Sequence, residues 1–407
     1  MAEFDVLLIG TDINAYYMAR NFHEAYGKTV NILGKTPMNF TSYSSICKVD
    51  IEPDLWNHKT FRKRLEAFGK KRQHKTVLVG TNDTYVRMIV ENAEFLSEWF
   101  LFNYPDKFLL DTLLIKEAFY NLYEDSLLNI PKTYNYHCLK DTLDLEQVEK
   151  LGFPLIVKPS DSVKWHDHEY PGQAKVYKPK NLEELKKIIK DVENAGYDAT
   201  LIIQQYIEGD DSDLFDVMFY CSSDGSGPRL QTFAQIGLQE HAPTGIGNCT
   251  ILINGYNQNN DTEQIAKELR QFMTNLKYTG IAEIDLKYDR NRKKYYALEI
   301  NPRQARSSYY LTACGYNLAK YLVDDLVYGK RPDFHFIDNE MCLSFVPVHV
   351  IKKHVKNKAY IEKALELKKQ GKFTRVLDYR GDKSIKRKLW LKVRDVNYAK
   401  KYKEYTW

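Results

Sequence analysis

Three side chains that carry hard oxygen donors, Asp285, Glu299 and Asn301, lie in the segment Gly280–Arg306, with Arg303 and Arg306 directly after them. Glu299 and Asn301 are two residues apart in a run of strand character, so they project to the same face. Asp285 sits in an earlier apolar run, beyond a charged turn around Asp289, Asn291 and Arg292. A short antiparallel connection would bring it beside the other two. Three oxygen ligands, two of them anionic, suit a Mg²⁺ ion that also takes phosphate oxygens. The plain alternative is an acidic, solvated strand face. Ile281, Ala282, Ile284, Leu286, Ala297, Leu298 and Ile300 argue instead for half-buried strands, where a carboxylate pair needs a cation because unpaired buried charge is costly.

Other elements must position that set. FDVLLIG (4–10), TVNILGK and TVLVGTND (76–83) read as strands alternating with helices, the first helix capped by Asp12. This βαβ pattern predicts a parallel sheet over the first ~105 residues. Gly10 is followed by Thr11-Asp12-Ile13-Asn14 rather than by a second glycine, so the dinucleotide fingerprint is absent. From Asp111 the texture changes. LLIKEAFYNLY predicts one amphipathic helix carrying Lys116, and PLIVK a buried strand closed by Lys158. A polar loop, Ser160 to Gly172, follows, and AKVYK predicts a further strand. NLEELKKIIKDVENAG predicts a helix with Asn181 as N-cap and Gly196 as its stop. TLIIQQYIEGDDSDLFDVMFY predicts strand, turn, strand. The tail is read as a β-like run, SFVPVHVI, and basic helix.

Taken in order, a helical lysine, a strand-ending lysine before a polar loop, a strand running into an acidic turn, and the Asp285, Glu299, Asn301 set resemble the ATP-grasp superfamily over about Asp111 to Tyr328. That resemblance implies a two-lobed α+β fold holding ATP between its lobes, behind an N-terminal βαβ, Rossmann-like pre-ATP-grasp domain. The expected divisions are 1–110, then an N-terminal lobe 111–203, a C-terminal lobe 204–340, and a basic segment 341–407 packed on that lobe. It implies that Lys116 and Lys158 contact the nucleotide's phosphates, that the loop bearing Ser162 covers them, and that Lys175 reaches the nucleotide. Gln204, the backbone carbonyl of Gln205 and the backbone N–H of Ile207 are expected on the adenine edge, and Asp211 on the ribose. Asp285, Glu299 and Asn301 are expected to hold two Mg²⁺ ions. Arg303 is expected to stabilise an oxyanion and Arg306 to grip a substrate carboxylate, a task suited to a planar guanidinium.

The wording KEAFYNL, FPLIVKPSDSVKW, GQAKVY, IIQQYIEGDDSD and EINPRQARSSYYLTACGYNLA is similar to the D-aspartate ligase branch. That branch joins the β-carboxylate of D-aspartate to the ε-amine of lysine in a peptidoglycan precursor. One departure is Ala305, where the branch leads us to expect glycine (NPRQGR). The readings to separate from it are another ATP-grasp amino-acid or dipeptide ligase and a non-catalytic nucleotide-binding protein.

The 407 residues suffice for two or three domains, with ordinary apolar (43%) and charged (28%) content. The start lacks a basic n-region, so no signal peptide is expected, and no apolar run approaches the ~20 residues of a membrane span. Six scattered cysteines without metal-ligand spacing fit reduced thiols in a cytoplasm. The net charge of +5 is uneven: residues 341–407 hold 19 Lys and Arg against 6 Asp and Glu. Such a tail suits an anionic partner, here a cell-wall precursor or a membrane surface rather than nucleic acid. His241 is read as organising its loop.

Overall fold

The computed structural model describes residues 3–123, 128–161, 164–165, 168–242, 245–257 and 262–405. The chain begins with β1 (Asp5–Ile9), β2 (Val30–Gly34), β3 (Cys47–Ile51), β4 (Thr76–Gly80) and β5 (Phe100–Leu101), an all-parallel sheet in the order β3-β2-β1-β4-β5. Helices on both faces bury β1 from either side, which is why Val6 to Ile9 form a continuous apolar run. Asp12 caps the helix Ile13–Tyr26 through the backbone N–H groups of Asn14 and Ala15, and Gly27, at φ 66°, ends it.

The second layer is a small antiparallel sheet of β6 (Thr133–His137), β7 (Leu155–Pro159) and β8 (Thr200–Gln205), ordered β6-β8-β7. The helix Leu182–Asn194 covers it with Leu185, Ile189 and Val192. Asn181 caps that helix on Glu184 N–H, as its sequence predicts.

The third layer is a large mixed sheet. It contains β9 (Leu214–Cys221), β10 (Pro228–Thr232), β11 (Ala234–Gln239), β12 (Cys249–Asn254), β13 (Gly280–Asp289), β14 (Lys294–Asn301), β15 (His335–Ile337), β16 (Met341–Ser344) and β17 (Phe373–Arg375). Its main path runs β14-β13-β9-β11-β12-β16-β17, with β10 also paired to β9 and β15 paired to β10. The tail thus supplies two strands of this sheet. One apolar core joins the first and third layers, from Tyr16, Tyr17 and Phe22 to Tyr310, Leu322 and Leu343. Arg20 ties them further: its guanidinium lies 3.8 Å from the Tyr309 ring centroid and donates to Val376 O at 2.7 Å.

Three local expectations differ from what forms. LLIKEAFYNLY is two helices, Lys107–Leu114 and Lys116–Tyr123, because Ile115 is extended. The break lets the backbone N–H of Lys116 donate to Ser160 O at the end of β7 (3.3 Å), so the helical lysine starts against the strand that carries Lys158. AKVYK makes one bridge, Tyr177 to Val157, rather than a strand. SFVPVHVI is strand only to Ser344. Pro347, which has no N–H to give a ladder, precedes the helix Val348–His354.

Gly237 in β11 packs directly under Tyr360: a Cβ there would lie 2.1 Å from the ring, which is fully buried and donates its hydroxyl to Gln235 O at 3.0 Å. Gly237→Ala is therefore expected to destabilise the protein by about 1–3 kcal/mol through overpacking, read as a lower urea midpoint.

Candidate active site

A cleft of about 460 Å³ opens between the small sheet and the large one. Its walls carry Lys158 from β7, Gln204 and Gln205 from β8, Asp285 from β13 and Glu299 from β14, with Lys116, Lys175, Ile207 and Asp211 around them. Nine of the residues singled out from the sequence therefore share one cavity. Ser162 lies outside the described residues.

Pairing across β13 and β14 sets Asp285 opposite Glu299, as a short antiparallel connection requires. Lys116 reaches across from its helix to Glu299 (Nζ–Oε2 3.1 Å). That lysine holds the Glu299 carboxyl well below the usual carboxylate range, against its burial, with Lys175 and Lys158 adding to the effect. Asp285 goes the other way: burial first, then the charges of Glu283 and Glu299, push its carboxyl well above the ordinary range. Lys158 is buried and donates to Tyr120 Oη at 2.7 Å. Burial and the neighbouring Lys116 charge bring its ammonium down to about 7.

Two further carboxylates, unmarked by any motif, belong to this patch. Asp216 on β9 pairs with Asp285 across the ladder and accepts from Tyr310 Oη (3.2 Å) and from Ser307 Oγ. Glu283 sits two residues before Asp285 and accepts from Asn301 Nδ2 at 2.9 Å. Burial drives both up, Asp216 to about 7 and Glu283 to about 8. Asn301 and Arg303 stand just behind the cleft. Asn301 Oδ1 accepts from Arg303 Nη2 (3.1 Å), and Arg303 Nε donates to Asp83 Oδ1 (2.6 Å) at the start of a helix of the first layer. The sequence signal for Asp216 and Glu283 was faint, an acid inside an apolar strand run, and it pointed to no role.

Along the opposite wall Gln204 Nε2 donates to Thr133 Oγ1 (2.8 Å) and the Gln205 N–H to Lys132 O (2.9 Å). Tyr206, not singled out from the sequence, faces Lys178 and Lys287, whose Nζ atoms lie 3.7 and 5.0 Å from its ring centroid. Asp211 Oδ2 accepts from Gln239 N–H (2.9 Å) and His241 Nε2 (3.0 Å), so His241 both lines the cleft and braces its loop. Asp210 caps the short turn that follows it.

No family model matches the chain. It is, however, 30% identical over 416 residues to the D-aspartate ligase of Enterococcus faecium (strain Aus0004), covering 99% of this chain and 97% of that protein. The chain belongs to the D-aspartate ligase family. Its architecture is that of the ATP-grasp ligases. It is similar to N5-carboxyaminoimidazole synthetase from Staphylococcus aureus complexed with ADP (TM-score 0.62, 13% identity, 90% of this chain and 86% of that one). It is also similar to D-alanine–D-alanine ligase from Bacillus anthracis complexed with ATP (TM-score 0.54, 14% identity, 81% and 97%). Members of this family are ATP-dependent enzymes that form C–N bonds, and so is this chain.

In this D-aspartate ligase family member Arg306 is not left open. It donates to Glu240 Oε1 (2.9 Å) and stacks 4.5 Å from the Phe345 ring centroid. Glu240 in turn accepts from Tyr398 Oη (3.1 Å) and pairs with Lys401 (2.8 Å), both on the long tail helix. Burial works against the Glu240 charge, but Arg306 and Lys401 outweigh it and hold the carboxyl below its ordinary value.

Among the described residues no three His, Cys, Asp or Glu side chains form a ready-made metal cage. The donors suit a different kind of site. Two carboxyls face each other across the ladder, one raised and one lowered, near the Asn301 amide and a lysine-lined cleft, and Mg²⁺ is commonly held by one or two carboxylates together with substrate phosphates. The arrangement predicts that Glu299→Gln lowers turnover at least ~100-fold, with nucleotide-dependent thermal stabilisation by Mg²⁺ weakened in parallel.

The raised carboxyls also fix a pH dependence. Asp216 and Glu283 keep protons in the folded chain that they lose in the unfolded chain above about pH 4. Between about pH 5 and 7 the folded state therefore binds more protons, and stability falls as pH rises, by up to about 1.4 kcal/mol per pH unit for each such group. Urea midpoints in metal-free buffer should fall across that range for the wild type and fall less steeply for Asp216→Asn.

Proposed function

We propose that this chain uses ATP to activate the β-carboxylate of D-aspartate and joins it to the ε-amine of L-lysine in an anionic peptidoglycan precursor. The observation that carries this reading is the cleft between the two lobes, in which Lys116, Lys158, Asp285 and Glu299 meet on a chain related over its whole length to a D-aspartate ligase. An oxygen of the β-carboxylate attacks the γ-phosphorus, the bond to the bridging oxygen breaks, and ADP leaves with an acyl phosphate in its place. The lysine amine, having lost its ammonium proton, attacks the acyl carbon. Phosphate departs and the amide remains.

Each residue has a task in that sequence. Lys116, Lys158 and Lys175 bind the phosphates, and Ser162 belongs to the loop that covers them. Gln204, Gln205 and Ile207 read the base and Asp211 the ribose. Asp285, Glu299 and Asn301 would hold Mg²⁺, as two ions, which supplies charge neutralisation at the phosphates. Arg303, fixed by Asp83 and Asn301, would stabilise the oxyanion, and Arg306, paired with Glu240, would bind the α-carboxylate. Domain limits at 110, 203 and 340, with a tail segment from 341 on the C-terminal lobe, are part of this reading. So is a cytoplasmic location, which the six free cysteines support.

Ala305, buried between the two arginines, favours keeping one rival, a ligase of this fold for a different amino acid. Phosphate release measured with D-aspartate, L-aspartate and neutral amino acids, with and without lysine-containing precursor, separates the two. D-Aspartate is expected to stimulate release most, and only with ATP and Mg²⁺. Stimulation by another amino acid alone would overturn the substrate while leaving the ligase.

A further inference from the structure

The tail helix Ile385–Glu404 has two unlike faces. Arg387, Arg394 and Tyr402 are buried on the inner side, Arg387 over the Tyr16 ring and on Leu377 O, Arg394 on Phe345 O, and Tyr402 on Thr250 of β12. On the far side Ile385, Leu389, Val393 and Val396 are 74%, 60%, 59% and 57% exposed. At ~100° per residue these four fall within an arc of about 80°, a single aliphatic ridge. Lys386, Lys388, Lys392, Lys400 and Lys403 are exposed along the flanks and end of that ridge, and Glu404 is the one exposed acid of the helix. Among the described residues none of the five lysines takes part in an ion pair.

We propose that this ridge is a docking surface for the anionic face of a lipid bilayer, on which the helix lies parallel to the membrane plane. Solvent exposure of four aliphatic side chains in one line is unfavourable, and a helix with an aliphatic ridge bordered by lysines is the form that settles at a headgroup boundary. The charge selects the occupant. A second copy packed ridge to ridge would set five lysines against five with one acid each to offset them. A nucleic acid would leave the aliphatic line unsatisfied. Anionic headgroups meet both features, with acyl chains for the ridge and phosphates for the ammonium groups. None of the ridge residues lines the cleft, so docking adds to the reaction rather than forming part of it, and it holds whichever amino acid the cleft takes.

The full chain, spun with vesicles of phosphatidylglycerol or of phosphatidylcholine, tests this. Retention is expected on the anionic vesicles, falling steeply between ~0.1 and ~0.5 M salt, and little on the neutral ones. Leu389→Glu with Val393→Glu should weaken retention at least ~10-fold, as should Lys388→Glu with Lys392→Glu, while phosphate release with a soluble acceptor stays at the wild-type level. Equal retention of wild type and both variants, or none on anionic vesicles, overturns the proposal. So does a dimer in light scattering that the Leu389→Glu, Val393→Glu variant converts to monomer.

Discussion

Burying several carboxylates in one patch of sheet is the constraint around which this molecule is arranged. Asp216, Glu283, Asp285 and Glu299 lie on three adjacent strands, close enough that they cannot all ionise without cations. The chain supplies part of the balance itself: Lys116 on Glu299, Asn301 on Glu283, and hydroxyls of Ser307 and Tyr310 on Asp216. For the rest, burial and mutual repulsion hold Asp216, Glu283 and Asp285 above the ordinary carboxylate range. A fold optimised only for stability would place apolar residues here. Keeping the acids suits the patch to the divalent charge proposed for it, and in that reading the stability lost without the ion is the counterpart of affinity with it.

The same electrostatics explain why three layers are needed. The patch belongs to the large sheet, its lysines come from the small sheet and the helix before it, and its arginine is held by Asp83 of the parallel sheet. The two lysines are not equivalent. Lys116 has a carboxylate partner and stays charged; Lys158 rests against Tyr120 and the Lys116 charge lowers it toward neutrality. An incoming polyanion would favour the protonated form of Lys158, so part of the attraction for phosphate arises only on binding.

Much of this was legible because strand periodicity is strict. Residues two apart share a face, so the spacing of Glu299 and Asn301, with a short turn back to Asp285, predicts three neighbouring donors; Asp285 and Glu299 do face each other in the cleft, while Asn301 stands behind it on Glu283. Caps were legible for the same local reason, as Asp12 and Asn181 show. What escaped depends on partners distant in the chain. Ile115 breaks its helix because Ser160, far along the sequence, accepts from Lys116. Asp216 reads as one acid in an apolar run until β13 is laid beside it. The Asp83–Arg303 pair joins residues 220 apart, beyond any local pattern. AKVYK has strand composition but only one bridge, since propensity yields to the neighbours actually available.

The basic tail shows how one helix meets two demands. Its net charge alone suggested an anionic partner without saying where. Folding splits that charge into two populations: Arg387, Arg394 and Lys401 turn inward, and Lys401 is committed to Glu240, while five lysines stay outside with the aliphatic ridge. The inward group reaches Arg306 through Glu240. Lys401 and Tyr398 hold the carboxylate that pairs with Arg306, so the docking of the helix and the geometry of that arginine are set by the same contacts. A helix anchored this firmly on one side can present its other side as a rigid surface, because ordering it costs no further conformational entropy when a partner arrives.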